Sequence, residues 1–197
     1  MVVSVQSLTG DDICFVLDDL AQLRMEVFRE WPYLYDGSLD YEQNYLSKFS
    51  EAAGAVCVVA FDGDRVIGAS TGLPLGEEHD EFISPFIKAG YDVSQIFYCG
   101  ESVLLQEYRG QGIGHEFFDL REAQAKILGG FTHSTFCRVL RPESHPLKPE
   151  NYFELDGFWE KRGYKPVTGL VAHYEWRELN QPEETKHQLQ FWMKDIS

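Results

Sequence analysis

Positive charge is scarce in this chain: 17 Lys and Arg residues face 32 Asp and Glu, for a formal net charge of −15 over 197 residues. A field of that sign repels phosphate backbones and anionic lipid, so neither a nucleic acid nor a membrane is expected as partner. It favours a cationic small molecule, or serves solubility alone. Long apolar runs are missing too, none approaching the roughly 18 residues that a membrane span needs. The opening residues Met1 to Gln6 have no basic flank and no extended apolar region, so no signal peptide is expected and a cytoplasmic location is. Cysteine is sparse: Cys14, Cys57, Cys99 and Cys137 form no Cys-x-x-Cys pair and read as reduced core residues. The six histidines are scattered singly, without the paired spacing of a helix-borne zinc site, and no metal is expected.

What is present is a regular alternation of elements. Val2 to Leu8 reads as a strand, and Thr9-Gly10-Asp11-Asp12 as a cap before a helix carrying Ile13, Val16, Leu17, Leu20, Leu23 and Val27. Trp31 to Gly37 breaks it, and a second helix follows from Ser38 or Asp40 with Tyr41, Tyr45, Leu46 and Phe49 on its apolar side. Ala55–Phe61 and Arg65–Leu73 flank Asp62-Gly63-Asp64 as a hairpin. A helix around Glu81–Ala89, a strand Gln95–Leu105, a helix Gly112–Leu128 ended by Gly129-Gly130 and a strand Phe131–Leu140 come next. A proline-rich loop Arg141–Glu150, a helix Tyr152–Arg162 and strands Leu170–Leu179 and Leu189–Lys194 complete the chain. With no repeat or low-complexity linker, residues 1–197 are expected to form one α/β domain, its central sheet mixed because hairpins and crossovers both occur.

One stretch carries chemistry. Val103-Leu104-Leu105-Gln106-Glu107-Tyr108-Arg109-Gly110-Gln111-Gly112-Ile113-Gly114 passes from an apolar strand through a glycine-rich loop into a helix. Unpaired N–H groups at a helix start, with the positive end of its dipole, can hold diphosphate where glycines let the backbone approach, and Arg109 adds a cation at the loop's entrance. The same glycines also suit a tight turn without a ligand. A P-loop is excluded because no Gly-Lys-Ser or Gly-Lys-Thr follows, and a dinucleotide fingerprint because its third glycine falls at His115.

Arg109-x-x-Gly112-x-Gly114 resembles the coenzyme A signature of the GNAT superfamily of N-acetyltransferases. Phe158-Trp159-Glu160-Lys161-Arg162-Gly163-Tyr164 looks like that family's later helix-to-strand motif. The resemblance spans nearly the whole chain and is strongest from Gln95 to Lys165. It implies a GNAT-like sheet of about seven strands flanked by helices, with two parallel strands, centred on Ser102 and Phe136, splaying to admit the cofactor. It also implies transfer of an acetyl or short acyl group from acetyl-CoA to a primary amine by direct attack. Arg109, Gly110, Gln111, Gly112, Ile113 and Gly114 would hold the pyrophosphate. Val103, Leu104 and Leu105 would pair with the pantetheine arm, an N–H near Leu104 polarising the carbonyl, and Asn151, Phe158 and Trp159 would wall its other side. Trp159 stands where many members have a tyrosine, which leaves the leaving-group acid unassigned; Tyr152, Tyr164 and His145 are neighbours in sequence. A non-catalytic acyl-CoA-binding module is the alternative.

Glu101 is a carboxylate inside the apolar run Ile96–Leu105. Burial there is costly without a partner or a task, so it is either a general base, directly or through water, or half of a structural pair with a buried Arg or His. The aromatic cluster Trp31, Tyr33, Leu34 and Tyr35 with Asp36 is either a loop pinned by packing or, by resemblance, a wall of the pocket for a cationic amine. The oligomer is expected to be a monomer or a homodimer.

Overall fold

The computed structural model describes residues 3–197. Val2, the expected first residue of the opening strand, lies outside them. Strands β1 (Val3–Thr9), β2 (Val56–Asp62), β3 (Arg65–Pro74), β4 (Ile96–Leu104), β5 (His133–Val139), β6 (Lys165–Arg177) and β7 (Glu184–Asp195) form one seven-stranded sheet in the order β1-β2-β3-β4-β5-β7-β6. Every neighbouring pair is antiparallel except β4 and β5. The mixed sheet expected from the sequence is therefore present.

The helices are α1 (Leu17–Val27), α2 (Leu39–Glu51), α3 (Asp80–Lys88), α4 (Ile113–Leu128) and α5 (Asp156–Lys161). α4 lies across β1 to β4, whereas α1 packs on α2, β3 and β4, and α3 on β6. Val56 to Ala60 of β2 are buried without exception, as expected of a strand covered on both faces, and with Ile67, Ala69, Phe97, Val103 and Phe117 they form the middle of the core.

Three expected boundaries shift. The first helix opens as a 3-10 segment, Gly10–Val16, before α1. Its two buried residues, Ile13 and Val16, are three apart, the period of a 3-10 turn, and Gly10 at φ +56° offers no side-chain cap. The two last strands are longer than their apolar stretches, since polar residues such as Thr185 and Lys186 pair across the hairpin with Trp176 and Glu175. The late helix starts at Asp156, not Tyr152, after the prolines of the preceding loop, and this moves Asn151 off the helix.

Candidate functional site

β4 is paired on both sides only at its start. Ile96, Phe97 and Tyr98 lie opposite His133, Ser134 and Thr135 of β5, and beyond them the two parallel strands part. At the same point the ladder with β3 carries a bulge: Ser70 faces Ser102 and Gly72 faces Cys99, so that Gly100 and Glu101 together oppose Thr71. A bulge bends its strand and raises the local twist, which accounts for the parting. A Cβ on Gly100 would lie 2.8 Å from Thr71 Oγ1, and the Glu101 N–H donates to that oxygen at 3.3 Å. Farther along, the Leu105 N–H donates to the Ile67 carbonyl at 3.0 Å. By the alternation of an antiparallel ladder, Val103 and Leu105 direct their backbone groups to β3, while Ser102 and Leu104 turn theirs to the edge that β5 has left. Of the three residues expected to line an extended ligand, Leu104 alone presents its amide there.

The loop after β4 is a 3-10 turn, Gln106–Tyr108, followed by Arg109 to Gly112 and the start of α4. Tyr108 pins it by donating its hydroxyl to Asp62 at 2.8 Å. Gly110 and Gly112 stand at φ +78° and +92°, where a side chain is strained, and Gly112 caps α4. The N–H groups of Gly110, Gln111, Gly112, Ile113 and Gly114 find no backbone acceptor among the described residues; His115 is the first to bond back, to the Gly112 carbonyl at 2.8 Å. Five amides without a backbone acceptor therefore lie at or just before the positive end of a 16-residue helix. The space before them is open: a Cβ on Gly110 or Gly112 would touch nothing within 4 Å, and one on Gly114 would meet only the Phe158 ring at 3.7 Å. Arg109 is turned away from these amides, its Nε donating to the Leu104 carbonyl at 3.0 Å and its guanidinium paired with Glu30 at 2.8 Å.

On the opposite side of the parting is a cavity of about 100 Å³. Its wall takes Arg24 from α1 and Phe28 just after it, Tyr45 from α2, Glu78 and Phe82 from the segment around α3, Tyr98, Gly100 and Glu101 from β4, Cys137 from β5, and Tyr174 and Trp176 from β6. Tyr33 and Tyr35 of the expected aromatic cluster line it as well, with Tyr41. Trp31 instead packs against His145 and Tyr152 of the proline-rich loop. The Tyr41 and Tyr174 hydroxyls share a hydrogen bond at 2.9 Å that joins α2 to β6.

Three charges meet under this wall. The Arg24 guanidinium pairs with both Glu42 and Glu101 and lies 4.5 Å from the Tyr45 ring centre, while Tyr35 donates its hydroxyl to Glu42 at 2.7 Å. Glu101 is thus the partner of a buried arginine, one of the two readings open to it, and it also borders the cavity. Its Oε2 faces Arg24, and its Oε1 has no hydrogen-bond partner although the residue is only 9% exposed. Glu78 is the second carboxylate of the wall. Burial raises its pKa above the ordinary carboxylate value, against the backbone N–H of His79, which donates to its Oε1 at 3.0 Å. Burial likewise raises the Tyr33, Tyr45 and Tyr98 phenols, so these three rings of the wall keep their protons at neutral pH.

The remaining expected residues divide. Phe158 edges His115 and Phe118 at the loop, whereas Trp159 packs on Phe136 and Trp192 and offers no acid. Asn151 is exposed in the loop before α5, apart from both. Tyr164 is fully buried, its hydroxyl 2.7 Å from Ser134 and 3.1 Å from Glu122. The Cys137 thiol is pushed up to about 12 by burial, which removes it as a nucleophile at neutral pH. Arg24, Glu42, Glu78, Phe82 and Tyr174 were not singled out by the sequence.

No family model matches the chain, and no curated protein does. Solved structures match its fold from end to end. A GNAT-family acetyltransferase from Staphylococcus aureus Mu50 is 8% identical with a TM-score of 0.60, covering 98% of this chain and 100% of its own. One of the GNAT family from Streptococcus pneumoniae is 11% identical with a TM-score of 0.57, over 98% and 99%. An acetyltransferase from Streptococcus agalactiae is 14% identical with a TM-score of 0.60, over 98% of both chains. The chain has the GNAT fold.

Proposed function

We propose that the protein transfers an acetyl or other short acyl group from coenzyme A to a primary amine. The observation that carries this reading is the parting of β4 from β5 with a different seat on either side. Five unpaired amides lie at the start of α4, and a cavity edged by carboxylates and aromatic rings lies across the parting. Gly110 to Gly114 would hold the pyrophosphate and the open edge of β4 at Leu104 would pair with the pantetheine arm, while acetyl-CoA supplies a thioester when bound. The fit rests on the amides without acceptors and on the free space above the glycines.

The chain's own residues then meet the demands of the reaction. The Leu104 N–H, preorganised at the open edge, donates to the carbonyl oxygen as it gains charge. A cavity carboxylate takes the proton that the attacking ammonium must lose. The new C–N bond replaces the C–S bond, and the proton count closes when the departing thiolate is protonated. Attack is direct, since Cys137 is held as a thiol.

Free-thiol release from acetyl-CoA over polyamines, amino sugars, amino acids and peptides tests the proposal, and release with at least one amine is the expected result. Binding of acetyl-CoA without release on any of them would overturn it. That outcome would favour a non-catalytic acyl-CoA-binding module, a reading that Trp159 supports because it places an indole where the resemblance implies a proton donor.

A further inference from the structure

We infer that the cavity beside Glu101 is a cation box, and that the acceptor it admits is a short aliphatic ammonium without a carboxylate or phosphate of its own. The inference rests on the reading of this cavity as the acceptor's seat and deepens it. The balance of charge is the first ground. Arg24 is the single Lys or Arg of the wall among the described residues, and it is already shared between Glu42 behind it and Glu101 beside it. Glu78 adds a third carboxyl group, with no lysine or arginine paired to it among the described residues; the His79 imidazole Nε2 lies 4.0 Å away. With Glu42 behind the wall, three carboxyl groups thus stand against one guanidinium, and the pocket is richer in acidic groups than in basic ones.

The second ground is the Glu101 carboxylate itself. Glu101 borders the cavity, and its Oε1 is buried with no hydrogen-bond partner. A buried charged acceptor without a donor is costly unless something supplies one, and an ammonium brings up to three N–H donors. The third ground is the lining. Phe82, Tyr98 and Tyr174 lie close together, Phe82 being 5.6 Å from Tyr98 and 5.3 Å from Tyr174 between ring centres. Aromatic rings attract cations through their quadrupole, and more strongly where water is thinned. The cavity's roughly 100 Å³ holds several water-sized groups. An anionic substituent entering it would meet Glu78 and Glu101 with the sole guanidinium committed.

Choline, its neutral isostere 3,3-dimethyl-1-butanol and glycine betaine are the probes; with no N–H of their own, they read the charge and the aromatic lining rather than the hydrogen bond to Glu101. None of them carries a primary amine, so their binding is read by calorimetry whether or not the protein transfers acyl groups. Choline is expected to bind at least about tenfold more tightly than the neutral isostere, the order of a desolvated cation–aromatic contact, and glycine betaine at least tenfold more weakly than choline. Glu78→Gln and Glu101→Gln should each cut choline affinity by about tenfold while leaving that of the isostere unchanged, which also shows that the variants are folded. Equal affinity for choline and its isostere in the unaltered protein, a comparison that needs no variant, would overturn the box, as would tight binding of glycine betaine. Thiol release with amines but no preference for choline sinks this inference and leaves the transferase standing; preference for choline with no thiol release on any amine does the reverse.

Discussion

The two seats that meet at Glu101 are made of opposite materials. The loop from Arg109 to Gly114 is a site of backbone: five amides, two glycines at positive φ and the end of a helix. The cavity is a site of side chains, gathered from elements all along the chain, from Arg24 to Leu189. A backbone site is indifferent to most substitutions but intolerant at its glycines, whereas a side-chain site spreads its vulnerability over many distant positions and rests on buried charge.

That contrast can be broken by variants on each side. The largest effect is expected at Arg24, where Arg24→Leu strands Glu42 and Glu101 and should lower the unfolding free energy by about 3–5 kcal/mol, measured by urea denaturation. A loss below about 1 kcal/mol would mean that the triad carries little of the cavity's stability. Gly112→Val should next weaken coenzyme A binding by about 100-fold or more, a loss of about 2.7 kcal/mol, without touching choline binding; retained affinity by calorimetry would remove the loop from the donor site. Glu101→Gln should lower turnover with amine and leave coenzyme A affinity intact, and an unchanged pH profile of turnover would remove Glu101 as base.

The pH dependence concerns Glu78, which faces the His79 backbone and imidazole, Glu101, Arg24 and Tyr45. Burial raises its folded-state pKa, so its contribution to stability is full below the unfolded value and is lost as pH rises through the raised one. Glu78→Gln should therefore be at least as stable as the parent at neutral pH, the advantage fading toward acid, in thermal melts across that range. The smallest effect is on the donor side: with a net charge of −15 around an anionic ligand held by local amides, moderate salt should leave coenzyme A affinity unchanged or slightly higher. A steep loss with salt would point to side-chain cations in its place.

The same contrast explains what could be read from the sequence. A backbone site is contiguous, so the strand, the glycine spacing and the helix start are visible in one stretch, as were the order of strands and the mixed sheet. The cavity was legible only in part: Tyr33, Tyr35 and Glu101 stood out locally, but the pairing of Glu101 with Arg24 crosses 77 positions (101 − 24) and no periodicity announces it. Arg24 looked like an ordinary cation in an amphipathic helix, and Glu78 one acid among several. Asn151 was misplaced because the prolines delay the helix to Asp156, and Arg109 because Glu30, far upstream, competes for it.

The bulge at Gly100 and Glu101 also acts as a phase slip in the strand. Before it, odd positions look toward α4, as Phe97 does beside Arg121; after it, even positions do, as Leu104 does beside Phe117. The extra residue lets Tyr98 and Glu101, of opposite parity, look into the same cavity. Removing Gly100 would restore the count and force a choice between them: either the carboxylate or the phenol would be carried through to the far face of the sheet. One inserted glycine is what allows a single strand to give both of these side chains to the acceptor and its bare edge to the donor.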